Sequence, residues 1–283
     1  MDQRIINLYD EYTHKPLTRQ EFIKRLAIIA GGTTAAMSLL SFLENDYKKA
    51  TVTDPTELFT EYINYPGVPN QMKAYIARPK AEGKYPAVIV IHENRGLNEH
   101  IEDVTRRAAK EGFLAIAPNA LSALGKTPAN EDEARQLFQQ LKAEDNLANF
   151  MGAFDYLKNR KDYNGNVGCV GFCWGGGMSN SLAVNQPLLK AAVAFYGKQP
   201  DAADVGKIKA AVQLHYAGLD TRVNEGIPAY KEALEKEKVN YELYMYEGVN
   251  HAFHNDTSAA RYNEAAAKLA WQRTIDFFKK YLK

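Results

Sequence analysis

The first part of the sequence that could do chemistry is the segment around Cys173, one of two cysteines in the chain. Cys173 is the centre of a Gly-x-Cys-x-Gly motif that runs from Gly171 to Gly175, after an apolar run and before a predicted helix. Small residues on both sides of a nucleophile permit the sharp strand-to-helix turn that lifts its side chain above a sheet. The positive end of that helix, or a protonated histidine, would favour a thiolate. The alternative is a glycine-rich turn with an inert cysteine, and Cys169 is predicted to be a core residue.

A nucleophile on such a turn needs an acid and a histidine, and two later strand ends supply them. Asp220 follows a predicted strand 47 residues after Cys173, and His251 follows the next strand, another 31 residues along. The order nucleophile, acid, histidine is that of the α/β-hydrolases. His251 would carry the proton of Cys173, and Asp220 would fix the tautomer of His251. Asp220 could instead stabilise a turn or pair with Arg222.

Two other histidine assignments stay open at this stage. His254 lies three residues after His251 and is predicted to be a surface residue or a neighbour of the site. A metal site of Cys173, His251 and His254 is conceivable, but no other ligand spacing supports it.

The segment from Ile91 to Gly96 is a candidate for the second half of an oxyanion hole. In this architecture one donor is the N–H after the nucleophile, here Trp174, and the other comes from the loop after an early strand. Glu93 within that loop is unexpected, because a carboxylate near a thiolate is costly. We expect Glu93 to hold the resting thiol or to move when substrate arrives, or else to cap a helix that starts near Asn98.

The elements that must position these residues alternate between strand and helix. Apolar or aromatic runs predict strands at Leu58–Ile63, Met72–Ala77, Ala87–Ile91, Phe113–Ala117, Val167–Val170, Ala191–Phe195, Ala211–Tyr216 and Tyr241–Tyr246. Helical periodicity predicts helices at Glu99–Glu111, Asn130–Asn159, Gly175–Ala183, Ile227–Glu237 and Ala259–Tyr281. This pattern predicts an α/β fold with a mostly parallel central sheet covered by helices on both faces, with the first two strands as an antiparallel hairpin at its edge.

Composition and charge limit the classes of partner. The 283 residues are 46% hydrophobic and carry a net charge of +1, so we expect a packed core and no nucleic-acid partner. Residues 1–50 are predicted to form a helical arm or a degenerate export signal, and residues 51–283 to form one domain. The apolar run from Leu26 to Leu43 is interrupted by polar residues and glycines and is too short for an integral membrane span.

The sequence leaves two alternatives for the cellular localisation of the protein. We expect a cytoplasmic protein, because the segment from Tyr47 to Ala50 puts a bulky cation where a cleavage site needs a small residue. The alternative is export through a twin-arginine-like signal, in which Gln20 stands in place of the second arginine.

Over roughly residues 57–283 the chain resembles the dienelactone hydrolases, or carboxymethylenebutenolidases, of the α/β-hydrolase superfamily. The residues that carry the resemblance are His92-Glu-Asn-Arg-Gly96, Gly171-Phe-Cys-Trp-Gly-Gly-Gly177, Phe195-Tyr-Gly197, Ala217-Gly-Leu-Asp220 and Asn250-His-Ala-Phe253. The resemblance implies a triad of Cys173, His251 and Asp220, with Glu93 paired to the resting cysteine. It also implies an oxyanion hole of the backbone N–H groups of Asn94 and Trp174, and neither cofactor nor metal.

The chain departs from this family where substrate is held. Family members that open dienelactone bind its carboxylate with two arginines, but the corresponding positions here lie in the Pro118–Leu124 segment and at Asn255. An asparagine cannot replace a guanidinium in bidentate carboxylate binding. Arg95, Lys198 or Arg222 could supply another cation, and the predicted pocket includes Arg95, Tyr196 and Asn255.

We therefore predict a cofactor-independent hydrolase of small-molecule esters or lactones that works through an acyl-enzyme on Cys173. One alternative is a thioesterase with the same triad. Another is a non-catalytic binder or a redox-responsive thiol protein on the same fold, which the missing arginines motivate. The oligomeric state is not predicted.

Overall fold

The computed structural model describes residues 1–47, 50, 52–128 and 130–283, so the predicted boundary at residues 50 and 51 borders a residue outside the described chain. An eight-stranded sheet with strand order β1-β2-β4-β3-β5-β6-β7-β8 forms the centre. The strands are β1 Leu58–Tyr65, β2 Met72–Pro79, β3 Tyr85–Ile91, β4 Leu114–Asn119, β5 Tyr163–Phe172, β6 Ala191–Phe195, β7 Ala211–Ala217 and β8 Tyr241–Tyr246. Each predicted strand is present, and the mostly parallel α/β architecture is confirmed.

The direction of the strands also follows the prediction. β2 pairs antiparallel with both β1 and β4, whereas the pairs from β4 through β3, β5, β6 and β7 to β8 are parallel. The carboxyl ends of β5, β7 and β8 therefore lie along one edge of the sheet. The loops that follow these three strands carry Cys173, Asp220 and His251.

The helices pack on both faces of this sheet. They are α4 Glu99–Lys110, α5 Glu131–Phe138, α6 Ala143–Lys158, α7 Trp174–Asn185, α8 Thr221–Asn224, α9 Ile227–Lys236 and α10 Glu264–Tyr281. One hydrophobic core lies on the side of α6, α7 and α9, and the other on the side of α4 and α10. Burial on both faces explains why β3, β4 and β6 are almost wholly apolar.

Two predicted helices need correction. The segment predicted as one helix from Asn130 to Asn159 is two, because the chain turns at residues 139–142 before Ala143 starts α6 with two acidic residues in its first turn. The last helix begins at Glu264 rather than Ala259, since Asn263 caps it by accepting a hydrogen bond from the N–H of Ala266.

The N-terminal arm, residues 1–47, consists of three helices: α1 Gln3–His14, α2 Arg19–Ala30 and α3 Thr33–Leu43. They share a hydrophobic core to which Tyr9, Tyr12, Phe22, Leu26 and Leu43 belong. No single helix in the described residues is long and apolar enough to cross a membrane, although α2 and α3 together, bent by 112°, meet the length and composition criteria. Gln20, which stands in place of the second arginine of a twin-arginine-like signal, lies in the first turn of α2, which Thr18 caps.

Candidate active site

Cys173 lies on a strained turn between β5 and α7. Its backbone has φ 56° and ψ −114°, in a region that residues other than glycine rarely occupy. The turn is tight enough that a Cβ on Gly171 would come within 1.8 Å of the carbonyl oxygen of Gly175. Trp174 is the first residue of α7, so its backbone N–H belongs to the unpaired first turn of the helix. This is the geometry that the Gly-x-Cys-x-Gly motif predicts.

Asp220 and His251 meet as the order of the strands predicts. The Nδ1 atom of His251 lies 2.5 Å from Oδ2 of Asp220, and both side chains are buried. Burial raises the pKa of Asp220, but the charge of His251 and this hydrogen bond outweigh burial and lower the pKa overall. Asp220 also caps α8, because its Oδ1 accepts a hydrogen bond from the N–H of Val223. Asp220 therefore stabilises the turn, as one alternative predicts, and contacts His251 at the same time.

The side chain of Cys173 is hydrogen-bonded to a residue of the N-terminal arm to which the sequence assigns no role. The Sγ atom of Cys173 lies 3.1 Å from Nε2 of His14, the last residue of helix α1. The sulfur and one ring nitrogen each of His14 and His251 all lie within 4.8 Å of one another. The two imidazole rings meet edge to face, with centroids 4.9 Å apart. Two histidines thus flank the predicted nucleophile.

His14 has its own acidic partner. Its Nδ1 lies 2.8 Å from the backbone oxygen of Asp10 and 3.2 Å from carboxylate oxygen Oδ1 of the same residue. Burial lowers the pKa of His14, but the charge of Cys173 and the contacts with Asp10 outweigh burial and raise the pKa above its ordinary value. Arg222 donates to Oδ2 of Asp10 over 3.1 Å, so the predicted alternative partner of Asp220 pairs with Asp10. The sequence signal for this pair was an acid and a histidine four residues apart on one helix face.

Glu93 is close to the site but bonded elsewhere. Its Oε2 accepts a hydrogen bond from Nδ2 of Asn255, 2.9 Å away, and Asn255 is fully buried. Burial, and then the charges of Glu93 and Cys173, raise the pKa of the Tyr196 phenol. The alternative that Glu93 caps a helix is wrong, since Asn98 caps α4 with its own side chain. The role of Glu93 toward the thiol stays a prediction.

A cavity of about 260 Å³ lies over Cys173. Residues of the arm and of the domain line it together: Thr13, His14, Asn94, Arg135, Phe138, Gln139, Cys173, Trp174, Tyr196, Lys198, Arg222, Val223 and His251. The predicted pocket residue Tyr196 is among them, whereas Arg95 lies at a smaller adjoining cavity and donates to the backbone and side-chain oxygens of Asn94. Asn255, the third predicted pocket residue, is not among the residues that line either cavity. It donates a hydrogen bond to Glu93, which lines the smaller one. Three cations, Arg135, Lys198 and Arg222, border the larger cavity.

The spacing within the cluster of His14, Cys173 and His251 favours hydrogen bonding over metal coordination. A tetrahedral zinc ion with ordinary bond lengths would separate a sulfur and a nitrogen ligand by about 3.5 Å. The observed distance between Sγ of Cys173 and Nε2 of His14 is shorter, at 3.1 Å. The alternative metal set that included His254 is not assembled, because His254 is buried in the core with its ring stacked on Phe172. His254 is therefore buried, so the surface alternative predicted for it is wrong, whereas the alternative that it is a neighbour of the site stays a prediction.

Cys169 behaves as predicted for a core residue. It is fully buried, and its Sγ lies 3.1 Å from the hydroxyl of Ser179. Burial raises the pKa of Cys169 to about 12. Both cysteines are buried, but among the described residues only Cys173 is hydrogen-bonded to a histidine.

Comparison with known proteins agrees with this fold. Residues 72–282 match the model of the family described as "Dienelactone hydrolase family". Two relatives named "Putative carboxymethylenebutenolidase" are a Salmonella typhi protein, 34% identical over 76% of this chain and 85% of that protein, and a Synechocystis protein, 33% identical over 80% of this chain and 99% of that protein. The crystal structure of a "Putative Dienelactone Hydrolase" from Klebsiella pneumoniae superposes with a TM-score of 0.73 at 31% identity, over 79% of this chain and 99% of that one.

The chain belongs to the dienelactone hydrolase family of α/β-hydrolases and is a hydrolase. The match to the family model begins at Met72, the first residue of β2. Helices α1 to α3, and with them Asp10 and His14, lie outside the matched residues.

Proposed function

We propose that this hydrolase cleaves small-molecule esters or lactones through an acyl-enzyme on Cys173, with Asp220 and His251 completing the triad. The observation that carries this proposal is the position of Cys173 on a strained turn at the N-terminus of α7, with a ring nitrogen of His251 within 4.8 Å of its sulfur. The buried contact between His251 and Asp220 orients that ring. The names of the relatives, which refer to carboxymethylenebutenolide hydrolysis, agree with this substrate class.

The reaction proceeds in two halves. In the first, the thiolate of Cys173 attacks the carbonyl carbon, and the oxyanion that forms is held by the backbone N–H groups of Asn94 and Trp174. The carbon–oxygen bond to the leaving group then breaks, the leaving oxygen takes up the proton that the Cys173 thiol gave up, and a thioester remains. In the second half, His251 takes a proton from water, the hydroxide attacks the thioester carbon, and the thiolate leaves. Asp220 stabilises the imidazolium of His251 during this step.

The size and the lining of the cavity favour a substrate of a particular size and charge. Its volume of about 260 Å³ suits a small acyl group, and Phe138, Trp174 and Tyr196 provide apolar walls. Lys198 also borders it and forms no ion pair within the described part of the chain, so its ammonium group is available to a carboxylate on the substrate. Lys198 would then take over the task of the two arginines that are missing from this chain.

The test is intact mass spectrometry after a short pulse of p-nitrophenyl acetate or a dienelactone-type lactone. We expect an acyl adduct that maps to Cys173 and disappears as product forms. Cys173→Ala should abolish both the adduct and turnover, whereas the matched variant Cys169→Ala should retain both. Wild-type turnover by Cys173→Ala would show that Cys173 is not the nucleophile. A short-chain thioester in the same pulse series would show whether thioesters are the better substrates.

A further inference from the structure

We propose that His14, on the N-terminal arm, is a second catalytic histidine of this hydrolase. At rest its imidazolium holds the thiolate of Cys173, and during acylation it protonates the leaving oxygen, so that His251 acts as base only for the incoming water. This inference rests on the proposed acyl-enzyme mechanism and divides its two halves between two histidines.

The contacts of the two rings support this division. Nε2 of His14 lies at hydrogen-bonding distance from the reacting sulfur, at 3.1 Å. Nε2 of His251 is buried and forms no hydrogen bond with any residue the structure describes. A base that is to activate water needs a free lone pair, whereas an acid that stabilises a thiolate needs direct contact with it. His14 and His251 meet these two requirements separately.

Each histidine has a carboxylate at the opposite ring nitrogen. Asp220 binds Nδ1 of His251, and Asp10 lies beside Nδ1 of His14. A carboxylate at Nδ1 keeps the proton on that side and orients Nε2 toward its target. Arg222 in turn pairs with Asp10, which fixes the carboxylate of the arm against the loop that carries Asp220. The arm therefore presents a complete histidine–carboxylate pair to Cys173.

The arm is attached to the loops that form the active site. Gln3 donates to the side chain of Asn250, the residue before His251, over 2.7 Å. Asn94, the predicted oxyanion residue, donates to the backbone oxygen of Thr13 over 2.8 Å. Together with the pair of Asp10 and Arg222, these contacts join α1 to two loops of the site and to helix α8. The position of His14 is thus set by the same loops that set the rest of the machinery.

The protons balance in this scheme. The sulfur of Cys173 forms a bond with the carbonyl carbon, and when the carbon–oxygen bond breaks, the leaving oxygen takes the proton of the His14 imidazolium. His14 and His251 are then both neutral. Water gives a proton to His251 as it attacks the thioester, the carbon–sulfur bond breaks, and the acid product leaves. The proton on His251 passes to His14, whose ring centroid is 4.9 Å away, and the ion pair with the thiolate is restored.

The test compares His14→Ala, His14→Gln and His251→Ala in rapid-mixing experiments with p-nitrophenyl and alkyl esters, with mass spectrometry of the acyl adduct. Because a positioned acid contributes typically a factor of about 100 to 10,000, we expect both His14 variants to slow acylation by an alkyl ester by at least about 100-fold. The His251 variant should form the adduct and retain it. Lys24→Ala, an exposed substitution on α2, serves as the control and should behave as wild type.

Two further measurements separate chemistry from docking of the arm. Gln at position 14 can donate a hydrogen bond to the sulfur but cannot transfer a proton, so its defect persists even where the arm stays docked. Added imidazole should restore acylation in His14→Ala by occupying the space of the lost ring. Wild-type acylation by both His14 variants, or loss of acylation in His251→Ala alone, would overturn the inference. Absence of any adduct on Cys173 in the wild type would instead overturn the proposed function.

Discussion

The α/β domain and the N-terminal arm each bring a histidine and a carboxylate to Cys173, but they do so by different means. The domain pair, His251 and Asp220, comes from two loops at the ends of neighbouring parallel strands. The arm pair, His14 and Asp10, comes from one helix, with the two residues one turn apart. A sheet edge gathers residues that are distant in sequence, whereas a helix presents residues that are close in sequence.

The two pairs also differ in burial. The side chains of His251 and Asp220 are 5% and 2% exposed, and those of His14 and Asp10 are 14% and 17% exposed. Electrostatic interactions are stronger where water is excluded, so the domain pair should contribute more to catalysis than the arm pair. In the proposed mechanism, therefore, the fold supplies the base for water, while the added segment supplies the resting partner of Cys173.

The largest expected effect comes from Asp220→Asn. With an amide at this position His251 loses the anion that stabilises its imidazolium and fixes its tautomer, so we expect kcat to fall by about 1,000- to 10,000-fold. The step affected should be hydrolysis of the acyl-enzyme, and mass spectrometry should therefore find the adduct accumulating. Asp201→Asn, a matched substitution at an exposed turn, is the control. Turnover within a few-fold of wild type would show that Asp220 is only a capping residue.

The domain and the arm also differ in how far the sequence alone predicts their contacts with Cys173. The alternation of apolar runs and the positions of Asp220 and His251 after two of them were sufficient for the sheet and for this pair. His14 could not be found in the same way, because its contact with Cys173 depends on how α1 packs on the domain. Helix α1 has an apolar stripe that includes Ile5 and Tyr9. This stripe predicts that one face of the helix is buried, but not which part of the protein that face covers.

Prediction and structure also differ at the break between α5 and α6 and at His254. The break between α5 and α6 occurs without glycine or proline, so periodicity alone could not place it. His254 is predicted at the surface or beside the site, but aromatic side chains such as Phe172 and Trp271 surround it. The burial of His254 thus depends on contacts with residues distant in sequence.

An intermediate effect is expected from Arg135→Ala, which weakens the attachment of the arm. Arg135 is buried, donates to the backbone oxygens of Tyr12 and Leu17, and lies 4.2 Å from the ring centroid of Tyr12. Loss of two charge-assisted hydrogen bonds and a cation–π contact should reduce the free energy that holds the arm by about 2–4 kcal/mol. Hydrogen exchange of the amides of α1 measures this change.

The control for that experiment is Arg25→Ala, because Arg25 forms only half-exposed ion pairs with Glu11 and Glu21. Such pairs contribute about 1 kcal/mol or less. We expect α1 to exchange much faster in Arg135→Ala and nearly as in wild type in Arg25→Ala. Equal protection in both variants would mean that the apolar contacts of the arm, rather than Arg135, keep His14 beside Cys173.

The smallest effect, and the sharpest comparison of the two pairs, is expected from Asp10→Asn. Nδ1 of His14 is hydrogen-bonded to the backbone oxygen of Asp10, which the variant retains, and the carboxylate adds an ion pair at 3.2 Å. Loss of that partly exposed ion pair should cost about tenfold in rate. The loss should fall on acylation, since His14 would hold its proton less firmly beside the thiolate. Glu11→Gln, which neutralises the next residue of the same helix, is the control. If Asp10→Asn slowed hydrolysis of the acyl-enzyme instead, in the manner expected of Asp220→Asn, the two pairs would serve one step together and the division of labour between arm and domain would be wrong.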